Sequence, residues 1–178
     1  MNDSRIGAIL AFIIFGIISR FLPHPPNFTA LNSIALFSAC YLSSLSLSLT
    51  TVFAVMLLSD LALGFHPGIP FVYLSFGLII LMGRYLRSNQ TLYRVPLFLS
   101  ASSLLFFVVT SFGEWLTNPL YPKTGFGLGL CYLAGVPFLA NQLLGDLTYG
   151  LLMFGCFSTL AEKTFLQRKS KLSTNPVF

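Results

Sequence analysis

Residues 95–116 have the sequence VPLFLSASSLLFFVVTSFGEWL, with one charged side chain, Glu114, close to the end. A helix needs about 20 mainly apolar residues to cross a hydrocarbon core about 30 Å thick. This stretch has that length and that composition. It therefore predicts a membrane-spanning α-helix.

Blocks of similar composition occur on both sides of this stretch. Of the 178 residues, 55% are hydrophobic and only 8% are charged, whereas soluble domains have about 25% charged residues. We therefore expect an all-α integral membrane protein, with one transmembrane domain over 1–162 and a basic tail over 163–178. The other five predicted spans are 6–22, 28–42, 49–65, 70–86 and 141–161.

The connector before the last predicted span, residues 117–140, contains a stretch of intermediate character. Residues 126–139 are apolar, but they include Gly127, Gly129, Gly135 and Pro137. Such a stretch is too short for a full crossing and suits a re-entrant or interfacial segment. The sequence thus predicts six transmembrane helices with a short segment of this kind before the last one.

The basic residues indicate an orientation. With six crossings, eight of the ten lie on the side of the termini and two, Arg20 and Lys123, lie on the other side. Basic residues favour the cytoplasmic side, so both termini are expected there. Because the charge sits at the ends of the blocks, the net charge of +5 does not indicate a nucleic-acid partner. The eight are Arg5, Arg84, Arg87, Arg94, Lys163, Arg168, Lys169 and Lys171.

Polar residues inside the predicted spans concentrate toward the outer face. A charge deep in a bilayer costs about 2.5–3.5 kcal/mol on insertion scales, so such residues usually face a bundle interior or a cavity. We therefore expect a substrate-binding cavity open to the outside, with Asp60, Asp146, Asn141 and Arg20 as its first contacts. The full expected set is Arg20, Asn27, Asn32, Asp60, Glu114, Asn141 and Asp146.

Three connectors that contain prolines, 23–26, 66–70 and 118–122, fall on the same outer side. Proline fixes φ and restricts the preceding residue, so we expect rigid turns above the cavity. His24 and His66 lie in two of them and are expected to be turn or cap residues, not metal ligands. The three cysteines are widely spaced and predict neither a disulfide framework nor a metal site.

Two other functions stay open. Side chains near span ends can reach the interface at little cost, so the polar cluster can be structural, as in a membrane scaffold or assembly protein. A membrane enzyme that uses the acids for proton transfer is a weaker alternative, because the chain has no HExxH, GxSxG, phosphate-loop or CxxC motif. No catalytic residue or cofactor is therefore expected.

The sequence resembles a small bacterial membrane family described as transport proteins. The resemblance extends from the first predicted span to the sixth, and the proline-rich turn is its most specific part. They are Arg20, 23–29, 35–37, 59–60, Gly64, 112–115, 121–122, 127–128, 131–132, 137–138, Asn141, 145–146, Tyr149 and 154–155.

That family is similar to the S components of energy-coupling-factor (ECF) transporters, which are six-helix subunits that bind a vitamin or similar micronutrient near the outer face. The resemblance implies a multi-pass protein of the bacterial cytoplasmic (inner) membrane and a small-molecule solute. It also implies a transmembrane coupling subunit with ATPases as partner, although the protein can also work alone. An acidic site favours cations or amines, whereas the amides and a paired arginine suit a neutral vitamin equally.

Overall fold

The computed structural model describes the backbone of residues 3–42, 44–87 and 93–174, and side chains between Gly7 and Thr159 within these ranges, except that of Ala8. All regular structure in these ranges is α-helical, so the predicted all-α class is confirmed at this level. The six helices are α1 (Asp3–Phe21), α2 (Leu31–Tyr41), α3 (Leu45–Leu63), α4 (Ile69–Arg87), α5 (Arg94–Thr117) and α6 (Gly125–Thr174).

The composition of four helices fits a membrane. Within the described residues, α3, α4, α5 and the Gly125–Thr159 part of α6 are long and apolar enough to cross one, while Ile9–Phe21 and α2 are shorter apolar helices. Large apolar side chains such as Leu61, Leu97 and Leu133 are more than half exposed. An outer surface of this kind suits lipid, because water would disfavour so much contiguous apolar area.

Helix α2 is the centre of the bundle. Residues 31–40 are all buried, and α2 contacts each of the other five helices. Its close fit against α4 depends on Gly83, where a Cβ would come 2.6 Å from the Cβ of Ala39 and 2.7 Å from the Leu36 carbonyl oxygen. Since 11 residues of α-helix extend only about 16 Å, α2 is much shorter than the helices around it.

The two ends of α2 are held differently. At its C-terminal end, the Leu42 carbonyl accepts hydrogen bonds from Arg84 (3.1 Å) and Arg87 (2.9 Å), cations that also favour the negative end of a helix dipole. At its N-terminal end, the N-cap residue Ala30 makes no capping hydrogen bond with its own side chain. We call this second side of the bundle, where α1, α3 and α5 end and α2, α4 and α6 begin, the cavity end.

The last helix differs from the sequence prediction. Residues 126–139 do not form a separate segment, because α6 continues from Gly125 to Thr174 with Pro137 inside it. One of these glycines serves helix packing: a Cβ on Gly135 would lie 2.7 Å from the Phe107 ring of α5. Residues 163–174 of the predicted tail continue this helix, while 175–178, and the loop residues 88–92, lie outside the described residues.

Candidate functional site

A cavity of about 350 Å³ lies at the cavity end, above the start of α2. Because α2 is short, the space above it is bounded by the surrounding helices, by His66 in the connector before α4 and by residues 23–30, which we call the proline segment. Its apolar wall includes Met56, Phe76 and Phe106. Its polar lining includes Arg20, His24, Asn27, Asn32, Gln142 and Asp146.

The proline segment is fixed by its own hydrogen bonds and by contacts with the bundle. The N–H of Phe28 donates to the Pro25 carbonyl, and Asn27 has a φ of 65°, a left-handed conformation that asparagine tolerates better than most residues. The Ala30 N–H donates to the Ser19 hydroxyl (3.3 Å). These contacts hold the segment beside the cavity.

Arg20 and Asp60 form an ion pair between the ends of α1 and α3. Nη1 of Arg20 lies 2.6 Å from Oδ1 of Asp60 and also donates to the Ser59 hydroxyl (2.5 Å). Asp60 is 2% exposed, and its Oδ2 has no hydrogen-bond partner among the described residues. Arg20 lines the cavity, whereas Asp60 does not. The Asp60 carboxylate balances the charge of Arg20.

Asp146 of α6 is the most deeply buried acid of the site, with 1% of its surface exposed. Its Oδ2 accepts hydrogen bonds from the amide of Asn32 (2.9 Å) and the hydroxyl of Ser103 (2.6 Å). The Asp146 carbonyl accepts a third bond, from Ser33 (2.9 Å). These contacts join α2, α5 and α6 around one carboxyl group that also faces the cavity.

A second cavity, of about 320 Å³, adjoins the first. The two share Asn27, Thr110 and Gln142 as lining residues. The acid of the second cavity is Glu114, which is exposed and accepts a hydrogen bond from Asn118 (2.6 Å). Both cavities therefore open at the cavity end, and each is lined by one carboxyl group.

The structure brings most of the sequence-predicted residues together. Four of them, Arg20, Asn27, Asn32 and Asp146, line the main cavity. Asp60 reaches it through Arg20, and Glu114 lines the second cavity. Asn141 lines neither cavity.

Gln142 is a buried lining residue that the predicted set omitted. It is 4% exposed and lines both cavities. Its position was available from the sequence, because residues four apart lie on the same face of a helix and Gln142 precedes Asp146 by four. Asn141 is one residue earlier, which turns it about 100° away from that face.

The two histidines lie in the connectors where the sequence places them. Both His24 and His66 line the main cavity; Nδ1 of His24 lies 2.8 Å from the Pro25 carbonyl oxygen. Within the described residues, no three His, Cys, Asp or Glu side chains are grouped as a metal site requires.

Comparison with known proteins gives a family and no function. No curated protein and no solved structure matches the chain. The model of one family, described as a family of unknown function (DUF6580), matches residues 1–171. The chain therefore belongs to the DUF6580 family.

Proposed function

We propose that this protein is a membrane transport protein that binds a small solute, of vitamin or micronutrient size, in the main cavity, in the manner of an ECF S component. The observation that carries the proposal is the burial of the Asp146 carboxyl group at the cavity wall. A carboxyl group that is 1% exposed is costly in an apolar bundle, yet this one is held by two neutral donors at the wall of a cavity.

The size and lining of the cavity support this function. Its volume of about 350 Å³ is within the range of about 300–1,000 Å³ of small-molecule sites, which are mainly apolar with a few placed polar groups. Here Met56, Phe76 and Phe106 supply apolar surface, while Asn32 and Gln142 supply amides. A solute would be held by hydrogen bonds and by apolar contact together.

The proposed topology has six crossings and both termini in the bacterial cytoplasm, with the cavity end outside the inner membrane. The distribution of basic residues, eight on one side and two on the other, favours this orientation. Since the chain has no phosphate-binding loop, we propose that energy for transport comes from an ECF-type coupling subunit with ATPases; working alone is the alternative.

The competing function is a membrane scaffold whose polar groups only join helices. The Arg20–Asp60 pair between α1 and α3 favours this alternative, because such a pair needs no solute. A thermal-unfolding screen of the purified protein against vitamins, nucleobases and amino acids separates the two functions. A transported solute raises the unfolding temperature, because at 100 times its Kd it stabilises the folded protein by about 2.7 kcal/mol. A scaffold is stabilised by none of these compounds.

Two neighbouring amide residues provide a test variant and its control for the binding of any solute that the screen identifies. Gln142→Ala removes a side chain that lines both cavities, while Asn141→Ala removes one that lines neither. We expect Gln142→Ala to weaken binding about ten-fold or more, the loss of roughly one buried hydrogen bond and its partner's desolvation. Equal effects of the two variants in a direct binding assay would place the solute elsewhere.

A further inference from the structure

On helix α1, Arg20 offers the main cavity hydrogen-bond donors that have no acceptor among the described residues. All hydrogen bonds that Arg20 donates to the described residues come from Nη1, and their acceptors are Asp60, Ser59 and the Met56 sulfur. A guanidinium has five N–H donors in a planar fork. Since Arg20 lines the cavity, Nε and Nη2 are left as donors for a bound acceptor.

The N-terminus of α2 adds to this donor side. The first N–H groups of a helix have no acceptor within it. The N-cap residue of α2, Ala30, has no side-chain acceptor to offer them, and the Ser19 hydroxyl accepts only from the N–H of Ala30 itself among the described residues. Its first two residues, Leu31 and Asn32, line the cavity. The partial positive charge of this helix end favours a negatively charged group.

An acceptor without a donor lies on a different helix. Both donors to the Asp146 carboxyl, from Asn32 and Ser103, reach Oδ2, and Oδ1 receives no hydrogen bond from the described residues. No ion pair joins Asp146 to Arg20, whose partner is Asp60. The cavity thus pairs donors at Arg20 and the α2 end with an acceptor at Asp146.

We propose that the solute is a zwitterion of the amino-acid type, whose carboxylate binds Arg20 and the start of α2 and whose ammonium group binds Asp146. This inference rests on the proposed function and narrows its solute class. The Phe76 and Phe106 rings, 5.4 Å apart, and Met56 form the apolar wall for the side chain of such a solute.

Two sets of matched compounds test the charge requirement by equilibrium binding to the purified protein in lipid nanodiscs. The first set is L-phenylalanine, 2-phenylethylamine, which lacks the carboxylate, and 3-phenylpropanoate, which lacks the amine. The second is L-leucine, 3-methylbutylamine and 4-methylpentanoate. In at least one set we expect the amino acid to bind about ten-fold or more tightly than either relative, since each lost contact is a charge-assisted hydrogen bond.

Variants assign each charge to its partner. Asp146→Asn keeps the shape of the side chain and should remove the preference for phenylalanine over 3-phenylpropanoate. The double variant Arg20→Gln with Asp60→Asn avoids leaving a buried charge alone, and should remove the preference over 2-phenylethylamine. Ser102→Ala is the control. Among the described residues the Ser102 hydroxyl donates only to the Leu99 carbonyl, whereas the hydroxyl of its neighbour Ser103 donates to Asp146.

The outcomes separate this inference from the function on which it rests. The zwitterion is overturned if in neither set the amino acid binds more tightly than both of its relatives, which includes failure of both amino acids to bind. If the wider solute screen still identifies a ligand, the transport function stands without it. If Asp146→Asn does not fold, the double variant and the two compound sets still test the zwitterion. Each relative lacks one charge of the solute, and the double variant tests the partner of the carboxylate.

Discussion

The Arg20–Asp60 pair shows how this bundle holds charges inside an apolar structure. Asp60 has one oxygen without a partner among the described residues, so its burial depends on the guanidinium contact to Oδ1. Removing one member of a buried pair leaves the other charge uncompensated, which is far more costly than replacing both members.

We predict that Arg20→Met lowers the free energy of unfolding by about 3–5 kcal/mol, the usual cost of leaving a buried charge alone. The double variant Arg20→Met with Asp60→Leu should recover most of this loss, because it leaves neither charge in the bundle. Unfolding of both proteins in detergent, followed by circular dichroism, measures the difference. Equal destabilisation of the single and double variants would show that Asp60 does not depend on Arg20.

For single residues, the sequence predicted which residue types gather at the cavity end better than it predicted where their side chains point. Asp60, Asp146 and Arg20 were predicted because ionisable groups are rare in apolar segments and have few ways to be satisfied there. Asn141 and Gln142 are adjacent amides, and only the rotation of α6 decides that Gln142 faces the cavities. That rotation depends on packing against α2 and α5.

Among the helices, α2 is the one on which the site depends. It is short, wholly internal and in contact with every other helix, so its position defines the floor of the main cavity. The close approach of α4 at Gly83 fixes α2 from one side.

Gly83→Ala should therefore destabilise the fold, because the added methyl group meets the backbone of Leu36 at 2.7 Å. We expect a loss of about 1–3 kcal/mol, as for other overpacked interiors. Gly77→Ala on the same helix is the control, since a Cβ there has open space, and it should be neutral or stabilising by up to about 1 kcal/mol from helix propensity. Thermal unfolding of the two variants compares them directly, and similar loss in both would argue against tight α2–α4 contact.

The predicted element boundaries agree with α1 to α5 to within a few residues, since long apolar blocks and proline turns mark them clearly. The beginning of α6 was missed because glycine and proline usually interrupt a helix. Here the packing of Gly135 against Phe107 outweighs this local preference, and no feature of the single sequence reveals that contact.

For the whole molecule, the proposed orientation can be tested by labelling single cysteines in intact cells. In a Cys156→Ser background, which removes the exposed native thiol, Leu120→Cys and Tyr93→Cys place thiols at exposed positions in opposite connectors. We predict that a membrane-impermeant maleimide labels Leu120→Cys from outside, and Tyr93→Cys only after the membrane is opened, because basic residues favour the cytoplasm. The reverse pattern would put the cavity end in the cytoplasm.

The length of α6 makes the protein sensitive to the lipid around it. Its apolar part, 35 residues from Gly125 to Thr159, extends about 50 Å, which exceeds the hydrocarbon thickness of about 30 Å. Such a helix tilts, protrudes into the headgroups or thickens the nearby bilayer. Acyl-chain length therefore acts on the helix that carries Asp146 and Gln142, and affinities measured in membranes of different thickness are expected to differ.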